Sequence, residues 1–593
     1  MEKKNEELVN ITIDGQKLQV PKGTNLIHAV AKVGKDVPHF CYHEGLSVAG
    51  QCRMCYVEVE GMRKLPTACS TIATEGMIVK TDSEIVKKSQ EATLEFTLLN
   101  HPLDCPICDR GGECKLQDYT YEHGPARSRM HEEKRELKKH TDISEQIVLD
   151  QERCILCTRC VRFSAEVDGR TELVVQGRGH KNKLDVFDGR PMESNFSGNV
   201  VDLCPVGALT ARDFRFNARP WELLKHEAIC TGCSMACNID IHTKHRHPSI
   251  PRPGQDSNNS EIERLTPRYN PQINEWWICD RGRWGYHFHN QSEERIESPM
   301  IQKEKSNDFQ KSSFKEIQNE IEKHQSWEFW IDGSASNELI SWAQNLSESW
   351  TKRGRQVSKI NDHPFADAFL EQWNKRAPHL QKIDWSNIKT VVCQTEAREV
   401  EEEIPLLALK LGQKLRSGQL TWSKRSLENF YQESDSPEET LYLVPPPKNK
   451  NSLEQMSQIP SKAALLILWQ QINSRGLLNH GLCPLEILES HVVGKQENKA
   501  VFFLSQRTQQ KTHSHFAKYL QDAKFSVVAD AFKSPYTKEA QVLLPIKGIY
   551  ESNGSYFNIE NIEQYSKGIS IADPNEVGIA RGGSSLAAEY SLL

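Results

Sequence analysis

The first regular pattern is the alternation of apolar and polar residues from Val9 to Val20 (VNITIDGQKLQV), broken at Asp14-Gly15. An Asp-Gly pair supplies the positive φ angles of a tight primed turn, so the stretch predicts a β-hairpin. Apolar positions then shift to helical spacing over Thr24 to Val33 (TNLIHAVAKV), with Thr24 as the expected cap. From 83 to 122 the pattern is short and partly helical, and Lys134 to Lys139 is a mixed-charge run expected to form a solvated helix face. Beyond residue 285, strand-like stretches (WEFWIDG, KTVVCQ, KAVFFLSQ, KFSVVAD) alternate with helical ones (NELISWAQNLSESW, EEEIPLLALKLGQKL, HSHFAKYLQDA). That alternation predicts an α/β region with a mostly parallel sheet.

Composition changes this picture through cysteine. The 593-residue chain has 17 cysteines, and all but Cys393 and Cys483 lie between Cys41 and Cys279. They fall into groups: Cys41, Cys52, Cys55 and Cys69; Cys105, Cys108 and Cys114; Cys154, Cys157, Cys160 and Cys204; and Cys230, Cys233, Cys237 and Cys279. The second group has three thiols, and His101 stands ahead of it as His-x3-Cys-x2-Cys-x5-Cys, where a fourth ligand is missing. Taken with His101, the groups make four sets of four ligands, the number that an iron–sulfur cluster takes. Structural zinc is the alternative for the first group, but zinc sites usually pair two Cys-x2-Cys units. A structural role is the alternative for a lone histidine.

Other local features modify the reading only slightly. Gly45, Gly50 and Gly61 suit a loop that wraps a cluster and turns N–H groups toward its sulfurs. Cys204-Pro205 resembles the distant ligand of a bacterial ferredoxin, with proline turning the chain away. Gly177 and Gly179 lack a third glycine at the dinucleotide spacing and are read as a turn. His242, His245 and His247 are read as part of an exposed polar loop, and Cys393 and Cys483 as buried or inert thiols.

The net charge of −6 is spread out, and no basic tract points to nucleic acid. The apolar run Ala463 to Ile472 is shorter than the roughly 20 residues a spanning helix needs. The first ten residues lack the apolar core of a signal peptide. The expectation is a cytoplasmic chain whose thiols ligate metal and which meets a membrane only through partners.

With these groups laid out, the chain resembles the G-subunit family of bacterial NADH–quinone oxidoreductase (respiratory complex I), the equivalent of the mitochondrial 75 kDa iron–sulfur subunit. The resemblance rests on HFCYHEGLSVAGQCRMCYVEVEG (39–61), LNHPLDCPICDRGGECKLQD (99–118), RCILCTRCVRF (153–163), DLCPVGALT (202–210) and EWWICDRGRWGY (275–286). It implies a ubiquitin-like [2Fe-2S] ferredoxin domain (1–82), a [4Fe-4S] domain with one histidine and three cysteine ligands (83–122), and a ferredoxin-like [4Fe-4S] domain (141–220). A [4Fe-4S] domain of the molybdopterin-oxidoreductase type (221–285) and a shortened, degenerate molybdopterin-oxidoreductase-like α/β domain (286–593) follow. One [2Fe-2S] and three [4Fe-4S] clusters are expected, without molybdopterin.

The resemblance further implies an electron-conducting subunit with no catalytic residue of its own. It would receive electrons from a flavin- and NADH-binding subunit at the first group, then pass them through the third and second groups. A ferredoxin-like [4Fe-4S] subunit would take them on toward quinone. The fourth group lies off that route in the family. Other peripheral-arm subunits are expected partners, and the location implied is the cytoplasmic side of the bacterial inner membrane.

The alternative is a subunit of an NAD-linked formate dehydrogenase or a hydrogenase-like complex. An iron-only hydrogenase needs several cysteines in its last half, where this chain has two. A formate dehydrogenase needs a longer catalytic domain, a metal-binding cysteine or selenocysteine, and glycine turns for pterin phosphates. The chain instead runs from Val392 and Cys393 into Gln394, Thr395 and Glu396, then Glu399, Glu401, Glu402 and Glu403, whose charge repels phosphate. VVCQTEAREVEEEIPLLALKL (391–411) and ADAFKSPYTKEAQVLLPIKGIYESNGSYFNIENIEQ (529–564) resemble pterin-oxidoreductase segments only thinly. Ser555, Tyr556 and Phe557 are expected to pack the core.

Overall fold

In the computed structural model the Val9–Val20 alternation forms antiparallel strands Leu8–Ile13 and Gln16–Pro21, in register from Leu8 opposite Pro21 to Ile13 opposite Gln16. Asp14 (φ 47°) and Gly15 (φ 80°) both take the left-handed conformation that a primed turn requires. The structure describes residues 7–244, 261–290, 294–302, 308–376, 383–393, 397–424, 436–447, 450–460, 463–468, 471, 473–488, 499–506, 514–546, 550–551, 553–567 and 569. The chain divides into two units, Met1–Leu223 and Leu224–Leu593.

In the first unit, Met77–Lys80 pairs parallel to Leu8–Ile13, and Glu58–Val59 pairs antiparallel to Met77–Lys80. The helix Leu26–Lys32 buries Leu26, Ile27, Ala29 and Val30 against this sheet's apolar residues. The expected threonine cap is absent. Asn25 holds the N-cap position, and the Thr24 hydroxyl donates to the Pro21 carbonyl at 2.7 Å, closing the preceding turn instead. Helices Glu84–Leu98 and Lys115–His123 flank the second cysteine group.

Residues 124–140 contain no helix or strand, so the mixed-charge run is a strap rather than a helix face. Lys134, Arg135 and Lys139 of this run are engaged. Lys134 Nζ donates to the Leu98 and Leu99 carbonyls, both at 2.9 Å, at a helix end whose oxygens lack partners within the helix. Lys139 bridges Asp104 and Glu152 at 2.8 and 2.6 Å. Strands Thr141–Asp142, Ile147–Leu149 and Leu209–Ala211 form the sheet under the third group. The Gly177–Gly179 pair makes the turn of a hairpin, Leu173–Gln176 with Lys183–Val186.

In the second unit, Leu223–Ile229, Asn238–Lys244 and Glu261–Pro267 form a three-stranded sheet beneath the fourth group. His242 lies on the middle strand, not in an exposed loop: its Nε2 is 3.0 Å from Thr266 Oγ1. His245 and His247 fall outside the described residues. A seven-stranded sheet follows, in the order Phe309–Lys311, Met300–Gln302, Val542–Pro545, Phe525–Asp530, Ala500–Leu504, Ser326–Ile331, Gln356–Val357. It is parallel from Val542–Pro545 onward and antiparallel at the other edge. A second sheet, wholly parallel, runs Thr421–Lys424, Thr390–Cys393, Thr440–Val444, Ala464–Ile467.

The helical pattern across 401–415 is two helices, Ala397–Glu403 and Pro405–Arg416, because Pro405 drives Ile404 out of helical geometry (φ −134°, ψ 76°). Cys393 and Cys483 are each 1% exposed, and Tyr556 and Ser555 are buried in the core. Gln394, Thr395 and Glu396 lie outside the described residues. Among the described residues no helix is long and apolar enough to cross a membrane.

Candidate metal centres

The first group sits in a loop between the helix Leu26–Lys32 and the sheet, with Cys41, Cys55 and Cys69 buried and Cys52 half-buried. The Cys41 thiol contacts those of Cys52 and Cys69, and Cys55 contacts Cys69. Hydrogen bonds from Cys52 and Cys69 hold the Cys41 thiol far below its ordinary range. The Cys69 thiol is pushed up by its bonds to Cys41 and Cys55. Backbone amides of Gln51 and Cys52 point at Cys41, and that of Met54 at Cys52. The glycines take other parts: Gly50 (φ 63°) turns the loop, while the Gly45 amide donates to His43 Nδ1 at 3.1 Å.

In the second group Cys108 and Cys114 are buried and Cys105 is exposed. Burial pushes the Cys114 thiol up to about 11. His101 is held down to about 4, by burial first and then by Lys134 and Arg153, so its imidazole is neutral. That is the form with a free ring nitrogen for a metal. His101 and Cys108 both feel the Arg153 guanidinium. Arg219 Nη1 donates to the Cys108 carbonyl at 2.6 Å and fixes the turn.

The third group lines a single cavity with Ile155, Leu156, Val206 and Leu209. Burial in these apolar walls pushes Cys154 up to about 12 and Cys157 up to about 11, and raises Cys160 well above its ordinary range. The loop bends through two positive-φ residues, Leu156 (53°) and Thr158 (61°), and the Leu156 amide lies 3.4 Å from Cys154 Sγ. Cys204 follows directly on the helix Asn199–Leu203.

The fourth group is entirely buried. Amides of Gly232 and Gly282 lie 3.3 and 3.4 Å from Cys230 Sγ and Cys279 Sγ. A Cβ on Gly282 would stand 2.7 Å from Cys230 Sγ, so only glycine fits there. The Tyr550 hydroxyl meets Thr231 Oγ1 at 3.1 Å, and the Ile559 amide donates to the Ser234 carbonyl at 2.8 Å. Residues far along the chain thus close over this group.

In the first, third and fourth groups the thiols lie close together in largely buried surroundings with backbone N–H groups aimed at sulfur, a donor set that suits an iron–sulfur cluster. In the second group Cys105 is exposed while Cys108 and Cys114 are buried, and glycine stands where a side chain would strike Cys108 Sγ. The sequence reading missed the residues that join the groups. Gln51 Nε2 donates to Leu156 O and Thr158 Oγ1, each at 2.9 Å, and Arg159 and Arg162 reach the Tyr42 and Cys41 carbonyls. Their signal was available: arginines placed inside a cysteine motif that must be buried.

Family models match in order: a 2Fe-2S iron-sulfur cluster binding domain over 6–84, and an NADH-ubiquinone oxidoreductase-G iron-sulfur binding region over 90–129. The ferredoxin-like domain of NADH-quinone oxidoreductase subunit 3 matches 144–210, and a molybdopterin oxidoreductase Fe4S4 domain matches 225–291. The chain is 43% identical over 298 residues to the G subunit of NADH-quinone oxidoreductase from Streptomyces coelicolor, covering 50% of this chain and 34% of that one. It is 42% identical over 439 residues to the NADH-ubiquinone oxidoreductase 75 kDa subunit of Reclinomonas americana, covering 69% and 59%. It is 43% identical over 296 residues to the mitochondrial NADH dehydrogenase [ubiquinone] iron-sulfur protein 1 of Solanum tuberosum, covering 50% and 38%.

The chain thus spans between about a third and three fifths of the length of these relatives. A solved chain of an NAD+-reducing [NiFe]-hydrogenase is 28% identical over 35% of this chain and 90% of its own, with a TM-score of 0.33, too loose to carry an argument. Residues 6–291 thus carry, in order, four iron–sulfur domains matched by family models, and this stretch is similar to the G and 75 kDa subunits of NADH–quinone oxidoreductase.

Proposed function

We propose that the chain is the iron–sulfur electron-transfer subunit of an NADH–quinone oxidoreductase, with no substrate site of its own. Its ligands are Cys41, Cys52, Cys55 and Cys69 for a [2Fe-2S] cluster. His101, Cys105, Cys108 and Cys114, then Cys154, Cys157, Cys160 and Cys204, then Cys230, Cys233, Cys237 and Cys279 hold three [4Fe-4S] clusters. When bound, such clusters supply one-electron redox chemistry, and the protein supplies ligation, burial and hydrogen bonds that set each potential.

One observation carries this reading. The third cysteine segment touches both of the others in its unit: Arg159, Arg162 and Leu156 meet the first loop, while Arg153 and Gly207 border Cys108 of the second. That adjacency supports a route from first to third to second segment, which chain order does not give. The donor is a flavin- and NADH-binding subunit, the acceptor a ferredoxin-like [4Fe-4S] subunit. The chain is a peripheral subunit on the cytoplasmic side of the inner membrane, attached through partners.

The C-terminal region supports a structural role over a formate-dehydrogenase-like one. Open parallel sheets bind ligands in the crevice beyond their strand ends. Here the loop after Ser326–Ile331 is satisfied by the chain itself. The Gly333 amide donates to Gln471 Oε1 at 2.5 Å, and the Ser336 amide donates to Gln506 Oε1 at 3.1 Å. Ser505 Oγ donates to Asp332 Oδ2 at 2.9 Å.

The test is low-temperature EPR of the intact complex in membranes after anaerobic NADH addition. NADH should reduce centres whose signals are lost or altered in Cys52→Ser and Cys108→Ser variants. If the centres that depend on Cys52 and Cys108 are reduced by dithionite but not by NADH, the reading is contradicted, as it would be by stoichiometric molybdenum or tungsten with pterin.

A further inference from the structure

We infer that Arg153 sets the reduction potential of the centre built on Cys105, Cys108 and Cys114, although its place directly before Cys154 assigns it to the neighbouring centre. This rests on the proposal that those residues hold a cluster. Arg153 is 4% exposed, which an unneeded arginine would not be. Its Nε and Nη2 donate to Asp104 Oδ2 at 3.0 and 2.9 Å, and its Nε lies 3.2 Å from Asp150 Oδ2. Asp104 immediately precedes Cys105, so the arginine is tied to the second group's own loop.

The space between the two groups is closed by backbone. A Cβ on Gly207 would stand 2.0 Å from Cys108 Sγ and 3.7 Å from Arg153 Cδ. The bare glycine therefore leaves the sulfur and the arginine stem on the same small volume.

Reducing a cluster adds one negative charge, and a buried cation beside a ligand sulfur stabilises the reduced form. Asp104 and Asp150 orient the guanidinium and oppose it electrostatically. Lys139, paired to Asp104 and Glu152, is half in solvent, where its field is screened. Arg153 is thus a positioning and potential-setting residue, and removing its charge should make this centre harder to reduce.

The experiment is an EPR-monitored redox titration of the holoprotein in four forms: wild type, Arg153→Lys, Arg153→Met and Asp104→Asn. Arg153→Met should lower the midpoint of the second centre more than that of the third, and leave the [2Fe-2S] midpoint in place. Arg153→Lys should recover part of the shift. Asp104→Asn should raise the same midpoint, because it removes an opposing charge. Opposite shifts are not produced by loosened packing. Retained signals with an unshifted midpoint in Arg153→Met overturn the inference. If Arg153→Met fails to assemble, an unshifted or lowered midpoint in Asp104→Asn overturns it. A wild-type spectrum lacking a cubane signal that depends on Cys108 defeats the cluster assignment itself, and is distinguished in that way.

Discussion

Arg162, two residues after Cys160, donates from Nη2 to the main-chain oxygen of Cys41. Arg159 does the same to Tyr42 O and also reaches Leu203 O at 3.3 Å, just ahead of Cys204. Two guanidiniums therefore fasten the first cysteine loop to both halves of the third group. Hydrogen bonds from charged donors contribute about 1.5–3 kcal/mol each. Arg162→Met should destabilise the first unit by about that amount. Guanidinium unfolding, followed by the visible absorbance of the clusters, measures it. An unchanged midpoint would show that the clamp contributes nothing.

Glycine marks the places where backbone approaches sulfur. Gly207→Ala puts a Cβ 2.0 Å from Cys108 Sγ, and Gly282→Ala puts one 2.7 Å from Cys230 Sγ. Each should deplete one cluster selectively. The first substitution lies in the third segment but should deplete the second centre. EPR signal integration on each variant checks it, and loss of the third centre alone in Gly207→Ala would reverse the assignment.

His101 is expected to complete the second centre. His101→Cys should retain a cubane with a lower midpoint, since a thiolate adds negative charge where imidazole is neutral. His101→Ala should lose or damage it. If both variants keep the wild-type spectrum and titration, His101 is not a ligand.

His289 is buried among Phe532, Tyr550, Glu551 and Arg295, with its Nε2 3.7 Å from Glu551 Oε1. Burial holds it below its ordinary 6.5; Glu551 opposes this and Arg295 reinforces it. Below pH 6.5 the unfolded chain binds a proton that the folded chain does not. Stability of the second unit should therefore fall as pH drops through that value, by up to about 1.4 kcal/mol per pH unit, and level off below the folded pKa. Denaturant unfolding at pH about 7.5 and 5.5 should show a smaller difference in His289→Gln. An equal difference in both proteins would remove His289 as the source.

The hairpin at Asp14-Gly15 was legible because its turn chemistry is local, and the cysteine groups because ligand spacing survives in one dimension. The strap at 124–140 was not, since Lys134 and Arg135 read as a solvated face until Leu98 and Leu99 supply the carbonyls that Lys134 caps. The break at Ile404 was available in Pro405 and was overridden by the apolar spacing around it. Arg153, Arg159, Arg162 and Gly207 act on cysteines of another group, and no spacing rule reports a contact across more than 90 residues of chain such as that between Arg219 and Cys108.

Iron and acid-labile sulfide analysis of the anaerobically purified chain, alongside EPR of the dithionite-reduced protein, tests the four-cluster assignment most directly. About 14 irons per chain are expected, two from the centre on Cys41, Cys52, Cys55 and Cys69 and four from each of the others. One [2Fe-2S] and three [4Fe-4S] signals should accompany them. Stoichiometric zinc in place of iron, or a sulfide content far below the iron, would contradict it.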